Sequence, residues 1–436
     1  MISLIWVVPI LLLVLIFLWP PVIFIYLLII LYPISLIIIH KYGEFVPHWT
    51  FGGDPTHEIN VYYRSQKDRA CILKYRLDGS DVFITHDEDE IEITSSNTPK
   101  PIENPAGTEL KHSEILGITH YFFLKNLQPD TRYYYDVVDS TSGEIVFENG
   151  IFKTQSVEKR DSFSFAVFGD MQIAENLEII ETYFTYLIRK NKPELIIALG
   201  DNWHKYKVQH DWKVFHTILR KIIPYLPYYN TPGNHDYGRD GGKSLALNSM
   251  NFPVNENNDW YYSFQYKKTM FISLSSRNLE NRGFQEKQMQ FLESKLNEAD
   301  KLRQEGDLNW VIFYTHVPWY GPAYNSNRIN DPNEEFIQQN WVPILEKHPV
   351  DLFFAGHKHS YCRDGNKIIT ASMHGVRDYK EHFGENYIVQ NSHQYCKVDV
   401  TEEKINVYVK TWFNRNIEVL TITGKKVAST KSKKLK

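Results

Sequence analysis

The chain has 436 residues, of which 43% are hydrophobic, 23% charged and 14% aromatic. That length allows about three domains and a sizeable core, and the composition excludes a disordered, collagen-like or disulfide-scaffold protein. The net charge of −4 is uneven: Lys425, Lys426, Lys431, Lys433, Lys434 and Lys436 close the chain without an acid among them, leaving 42 basic against 52 acidic residues elsewhere, too acidic a body for a general nucleic-acid backbone binder.

Residues 1–40 contain no charged side chain, the first being Lys41. Residues 2–39 as one helix would run about 57 Å, nearly twice the hydrocarbon thickness of a bilayer, and Pro20-Pro21 interrupts it midway. A helical hairpin with arms at 2–19 and 22–39, each roughly 27 Å long, fits better, with Trp19 at the interface beside the turn. A cleaved signal peptide would want a basic start and a small-residue cleavage site, and neither is present. The expected partner of residues 1–40 is therefore the lipid bilayer. Lys41 and the terminal amine lean the rest of the chain toward the cytoplasmic face.

Residues 57–155 are rich in Val, Ile, Thr and Tyr, in short alternating runs such as Ile59 to Tyr63, Ala70 to Tyr75 and Ile91 to Thr94. This spacing predicts a small antiparallel β-sandwich. From residue 162 to 422 apolar strands alternate with amphipathic helices. Strands are expected at Phe163–Phe168, Leu195–Leu199, Tyr228–Thr231, Met270–Leu274, Val311–Tyr314 and Leu352–Phe354. Helices are expected near 175–190, 210–222, Gln285–Lys301 and Glu334–Glu346, and late antiparallel strands at 366–372, 395–400 and 404–410. A two-sheet α/β sandwich is the economical fold. Residues 423–436 read as a solvated basic tail. Cys71, Cys362 and Cys396 have no metal-ligand spacing and form no disulfide framework.

The candidate chemistry stands where predicted strands end. Asp170 lies in FGDMQ, Asp201 in LGDNWH, Asn234, His235 and Asp236 in TPGNHD, His316 in FYTHVP, and His357 and His359 in AGHKHSYCR. Loops beyond the carboxyl ends of parallel strands are where open α/β sheets place their sites. Mixed carboxylate, amide and imidazole donors suit Mn, Fe or Zn better than Ca. Their number exceeds what one tetrahedral ion needs, and two divalent ions sharing a carboxylate would account for them. Trp203, Tyr320, Tyr361 and Arg363 adjoin donors; Tyr320, Tyr361 and Arg363 are candidate substrate contacts, Arg363 because a guanidinium pairs well with phosphate oxygens.

The ordered set Asp, GD, GNHD, His, GHxH over about 162–375 resembles the calcineurin-like metallophosphoesterases. The extended GHKHSYCR, together with YFFLKNLQPDTRYYYDV, which is similar to late fibronectin type III strands, resembles the purple acid phosphatase branch. The resemblance implies a four-layer α/β metallophosphoesterase sandwich behind a fibronectin-like domain, and a dinuclear phosphoesterase that attacks phosphate monoesters with a metal-bridging hydroxide. It implies Asp170, Asp201 and His359 at the first ion, Asp201 bridging, and Asn234, His316 and His357 at the second. His235 would serve the leaving group, with Asp236 orienting it.

Two departures stand out. Gln172 replaces the branch's glycine at the first motif, and His204 stands where the branch has a tyrosine ligand. His204 is expected to complete the first ion's shell, with Gln172 or water as the alternative. Without a tyrosinate the purple colour should be absent. A phosphodiesterase or nucleotide pyrophosphatase on the same scaffold, and a non-catalytic metal-stabilised receptor, are the competing functions. Neither nucleic-acid scaffold binding nor any particular oligomeric state is implied.

Overall fold

The computed structural model describes residues 45–65, 69–89, 102–103, 109–110, 118–158, 162–172, 186, 188, 190–202, 215–216, 218–236, 261–276, 282–319, 332–370, 387–390, 393–411, 414–424 and 426–431. The apolar segment 1–40, and with it the expected hairpin anchor, lies outside them. Among the described residues no helix is long and apolar enough to cross a membrane.

Nine strands come first: β1 (His48–Phe51), β2 (Ile59–Ser65), β3 (Cys71–Leu77), β4 (Ile84–Asp87), β5 (Ile102–Glu103), β6 (Glu109–Leu110), β7 (Ile118–Leu124), β8 (Arg132–Asp139) and β9 (Ile145–Lys153). They pair as a three-stranded sheet β1-β2-β7, a four-stranded sheet β4-β3-β8-β9 and the short pair β5-β6. Period-2 alternation drives this packing: Tyr133, Tyr135 and Val137 of β8 are buried, and Phe152 of β9 stacks on Tyr133 with ring centres 5.1 Å apart. The domain begins earlier than the expected residue 57, because β1 pairs in register with β2, His48 opposite Tyr62. The sequence HWTF is too short to show an alternation before its partner is known.

The larger part runs β10 (Phe163–Phe168), β11 (Leu195–Ala198), β12 (Tyr228–Asn230), β13 (Tyr262–Tyr266), β14 (Thr269–Ser273), α1 (Arg282–Glu305), β15 (Trp310–Tyr314), α2 (Pro332–Asn340), α3 (Val342–Leu345), β16 (Leu352–Ala355), β17 (Tyr361–Asp364), β18 (Lys367–Ile369), β19 (Tyr387–Gln390), β20 (Gln394–Val400), β21 (Ile405–Thr411), β22 (Asn416–Thr423) and β23 (Lys426–Lys431). Two seven-stranded sheets form, in the orders β12-β11-β10-β20-β21-β22-β23 and β13-β14-β15-β16-β18-β17-β19. Strands β10, β11 and β12 are parallel, as are β14, β15 and β16, so each set delivers its following loops to one end. The expected single helix over Glu334–Glu346 is two helices, α2 and α3, with Trp341 between them and a proline in the first turn of the second.

The parallel strands β10, β11, β12, β14, β15 and β16 are buried on both faces nearly throughout, so their two sets of side chains enter different layers. Phe163, Phe165 and Val167 of β10 join the core between the sheets, while Ala166 and Phe168 join an outer layer with Ile188, Phe215, Ile218 and Leu219. The opposite outer layer packs Leu292, Leu296, Ile337, Trp341 and Leu345 on the second sheet. The result is a mixed α/β sandwich of four layers. The N-terminal domain is bound to it by Phe51 N–H donating to Tyr229 Oη at 3.1 Å and Tyr135 Oη to the Pro224 carbonyl at 3.2 Å.

The expected solvated tail at 423–436 is corrected in part. Strand β23 pairs antiparallel with β22, Val427 opposite Ile422, because backbone hydrogen bonds to an open sheet edge do not need an apolar sequence, and lysine is a usual edge residue. All three cysteines are free and buried.

Phe165 is fully buried between the sheets, its ring 5.3 Å from Phe271 and 6.4 Å from Phe354. Phe165→Ala is expected to cost about 3–5 kcal/mol in urea denaturation. A loss below about 1 kcal/mol would show that cohesion of the two sheets does not depend on this contact.

Candidate metal centre

The donors are carried by five loops that follow β10, β11, β12, β15 and β16. Asp170 N–H donates to the Gly200 carbonyl and Gln172 N–H to the Asp201 carbonyl, both at 2.9 Å, so the first two loops are stitched backbone to backbone. Their close approach explains two glycines. A Cβ at Gly200, where φ is +83°, would stand 2.5 Å from the Gly233 nitrogen, and one at Gly233 would stand 2.2 Å from Asp201 Oδ1.

These loops bring the candidate ligands together as two overlapping sets. Donor atoms of Asp170, Asp201 and His359 lie within 4.8 Å of one another, as do those of Asp201, His316 and His357, and Asp201 belongs to both. Asn234 Oδ1 stands 3.1 Å from His316 Nε2, which places the amide at the second set. Asp170, Asp201 and His316 are fully buried or nearly so, at 0%, 1% and 0% exposure. A carboxylate shared by two nitrogen-bearing triads fits a pair of borderline divalent ions.

The backbone at these positions is strained in the same way. Asp170, Asp201, His357 and His359 have φ of 48°, 52°, 72° and 55°. Left-handed conformations in residues other than glycine cost about 1–3 kcal/mol each and persist where surrounding structure imposes them. Here that structure is visible: His357 N–H donates to Asp170 Oδ2 at 2.9 Å, and His359 Nε2 lies 3.2 Å from Asp170 Oδ1.

Second partners orient the ligands. His316 Nδ1 lies 2.6 Å from the Leu199 carbonyl, which can only accept, so Nδ1 carries hydrogen and Nε2 faces the donor set. Burial disfavours the His316 imidazolium, but the Asp201 carboxylate 3.4 Å away, with its hydrogen bond, pushes the group up to about 9. Burial likewise disfavours the charge on Asp201, and the His316 and His235 imidazoles overcome it, holding that carboxyl below the usual range. An arriving cation therefore replaces a proton on His316, the usual exchange at a metal site.

Asp236, expected to orient His235, accepts backbone hydrogen bonds from two loops. Its Oδ2 accepts from Asp201 N–H at 2.9 Å and Gly233 N–H at 2.7 Å, and its Oδ1 from Asn202 N–H at 3.0 Å. It clamps two loops. Burial, then repulsion from Asp201, push its carboxyl up to about 7 against those three bonds. His235 is anchored by its own N–H to Asp201 Oδ1 at 2.7 Å, and its partly exposed ring places Nε2 3.8 Å from Asp201 Oδ2.

Two expected substrate contacts are corrected. Arg363 grips Glu418 with Nε at 3.0 Å and Nη2 at 2.8 Å, and Tyr361 donates its hydroxyl to the same carboxylate. Tyr361 and Glu418 are almost fully buried, so this trio joins β17 to β22 instead of facing substrate. Burial pushes the Cys362 thiol up to about 12, which makes it inert. His204, Trp203 and Tyr320 lie outside the described residues. Gln172, fully in view, turns its Nε2 to Asp201 Oδ2 at 3.2 Å. Its position is legible in the sequence; its partner is not, because that contact depends on how two loops cross.

With this geometry in hand, the relatives can be compared. Residues 163–361 match the calcineurin-like phosphoesterase family, and residues 46–154 match the purple acid phosphatase N-terminal domain. The chain is 26% identical to purple acid phosphatase 23 of Arabidopsis thaliana over 280 residues, 57% of this chain and 58% of that protein. It is 23% identical to Fe(3+)-Zn(2+) purple acid phosphatase 12 of the same plant over 260 residues, 57% of this chain and 52% of that one. The chain thus spans little more than half the length of the curated relatives it matches. A purple acid phosphatase from yellow lupin (Lupinus luteus) seeds superposes with a TM-score of 0.69 at 16% identity, covering 86% of this chain and 74% of that one, which shows a common fold. Residues 163–361 are a calcineurin-like phosphoesterase domain, and residues 46–154 in front of them are a purple acid phosphatase N-terminal domain.

Proposed function

We propose that the chain is a dinuclear metal-dependent phosphoesterase acting on phosphate monoesters. The observation that carries the reading is the pair of donor triads with Asp201 in common. Asp170, Asp201 and His359 would hold one ion, and Asp201, Asn234, His316 and His357 the other, with His204 as a further candidate at the first. The relative named for Fe(3+) and Zn(2+) supports a pairing drawn from Fe, Zn or Mn. Two such ions supply Lewis acidity toward phosphate oxygens and lower the pKa of water to about 7.

The side chains of this chain do the rest. His235, anchored on Asp201 and partly open to solvent, stands where it could donate a proton to the leaving oxygen. Asp236 keeps the Asp201 and Asn234 loops in register. Burial of Asp170, Asp201 and His316 excludes water from the donors and strengthens every charge interaction among them. We also propose, from sequence alone, that residues 1–40 attach the protein to a bilayer. Extraction of the full chain by carbonate at high pH would overturn that.

Four outcomes test the enzyme reading. The purified chain should hold two transition-metal ions and release phosphate from a nitrophenyl monoester faster than it cleaves the bis ester; the opposite preference would make it a diesterase. Asp201→Asn should cut ion affinity at both sites and activity by at least about 100-fold, whereas His235→Ala should lower kcat by about 10²–10⁴-fold with metal content unchanged. A full metal load with no turnover on any ester would point to a non-catalytic scaffold. Chelation should lower the melting temperature, since ions present at 100 times their Kd stabilise by about 2.7 kcal/mol.

A further inference from the structure

One buried ion pair near the centre has no part in the chemistry so far. Lys358 stands between His357 and His359 in the chain, yet it is only 4% exposed. An ammonium buried next to cation ligands opposes the ions they would hold, because like charges repel most strongly where water is excluded. Its side chain turns to α2 and forms an ion pair with Glu334, in the first turn of that helix. Four residues on, Gln338 donates its Nε2 to the Trp319 carbonyl at 2.9 Å, three residues beyond His316. The helix is itself fixed by Ile337 and by Trp341 just past its end, both with 0% exposure. Helix α2 therefore grips the His316 loop with one turn and the His357–His359 loop with another. Those loops supply two members of one triad, whose imidazole rings are 5.2 Å apart and nearly perpendicular.

We propose that Glu334 and Lys358, with Gln338, form a brace that sets the separation of His316 and His357. They are positioning residues for the ion held by Asp201, His316 and His357, and α2 is the rigid element that joins them. The inference rests on the dinuclear reading above. It also accounts for the charge: Lys358 is tolerated because Glu334 neutralises it, and a one-sided loss would leave an uncompensated buried charge. Direct contact of Lys358 with substrate does not fit its burial or its partner.

The test is titration of the metal-free full chain with Zn²⁺ by calorimetry, resolving two sites. Lys358→Met and Glu334→Gln should each weaken one of the two sites by about 10–100-fold and leave the other within about threefold. Lys358→Arg should restore most of the loss, because it keeps the charge. The Lys358→Met/Glu334→Gln double variant should bind better than the product of the single effects, since the two groups act as a unit. Gln338→Ala, which removes no charge, should weaken the same site more mildly. If all of these bind two ions as the unaltered chain does, or Lys358→Met binds more tightly, the pair only stabilises the fold or only adds charge, and the brace is wrong. If the unaltered chain itself binds fewer than two ions, the dinuclear reading fails first.

Discussion

The architecture of the centre depends on one carboxylate. Asp201 is buried, ionised, and within reach of both donor sets, so it is the only described group that can tie them into a single site. Removing an anion from water is costly, and in the absence of ions the cost is offset by His316 and His235 beside it and by the backbone N–H of His235. The same charge that makes Asp201 expensive to bury makes it a strong ligand. A site that draws protons onto His316 when empty is one that exchanges those protons for cations when they are supplied.

Holding that carboxylate in place consumes the local backbone. Four of the donors adopt left-handed conformations, and the loops approach so closely that Gly200 and Gly233 leave no room for a Cβ. Such strain is affordable only on a rigid support. The support is the pair of parallel strand sets, fully buried on both faces, whose ends present the loops together. Asp236 transmits this rigidity by accepting three backbone hydrogen bonds from the loops that carry Asp201 and Asn234. A carboxylate used this way sets a geometry without touching the reacting atoms.

Strand positions and the side chains that converge at strand ends are legible in the sequence because both leave local marks. Short apolar runs such as Phe163 to Phe168 and Leu195 to Leu199, too short for a helix and followed by glycine, fit strands buried on both faces, and a Gly-Asp or Gly-Asn-His-Asp placed just after one marks a sharp turn. What stayed hidden is non-local. Tyr361 and Arg363 look like phosphate contacts beside GHKH, yet their partner is Glu418, more than fifty residues later on an antiparallel strand. Strand β13, with the mixed pattern YSFQY, and edge strand β23, the mostly polar KVASTK, acquire their structure from a neighbour instead of from their own periodicity. The clamping bonds of Asp236 are hidden for a similar reason: the loop crossing brings the backbone amides of Asp201, Asn202 and Gly233 to its oxygens.

The two halves of the donor set are stabilised by different means. Asp170 and His359 are linked directly, by the hydrogen bond and contact that Asp170 makes with the loop of His357 and His359. His316 and His357 come from the adjacent parallel strands β15 and β16 of the second sheet, and their loops are tied directly where Gly356 N–H donates to the His316 carbonyl at 2.9 Å. A packed helix with polar contacts to both loops adds a second, side-chain tie between them, since helices resist bending while loops do not. A lysine between two ligand histidines is then consistent with cation binding: its charge is spent on Glu334, and its length spans from the loop to the helix. The same logic makes the spacing of the second triad depend in part on the outer helical layer, whereas Asp170 and Asp201 of the first triad sit on loops stitched to each other at the end of the first sheet. The two supports meet at Asp201, at the His357 N–H bond to Asp170, and where His316 Nδ1 meets the Leu199 carbonyl.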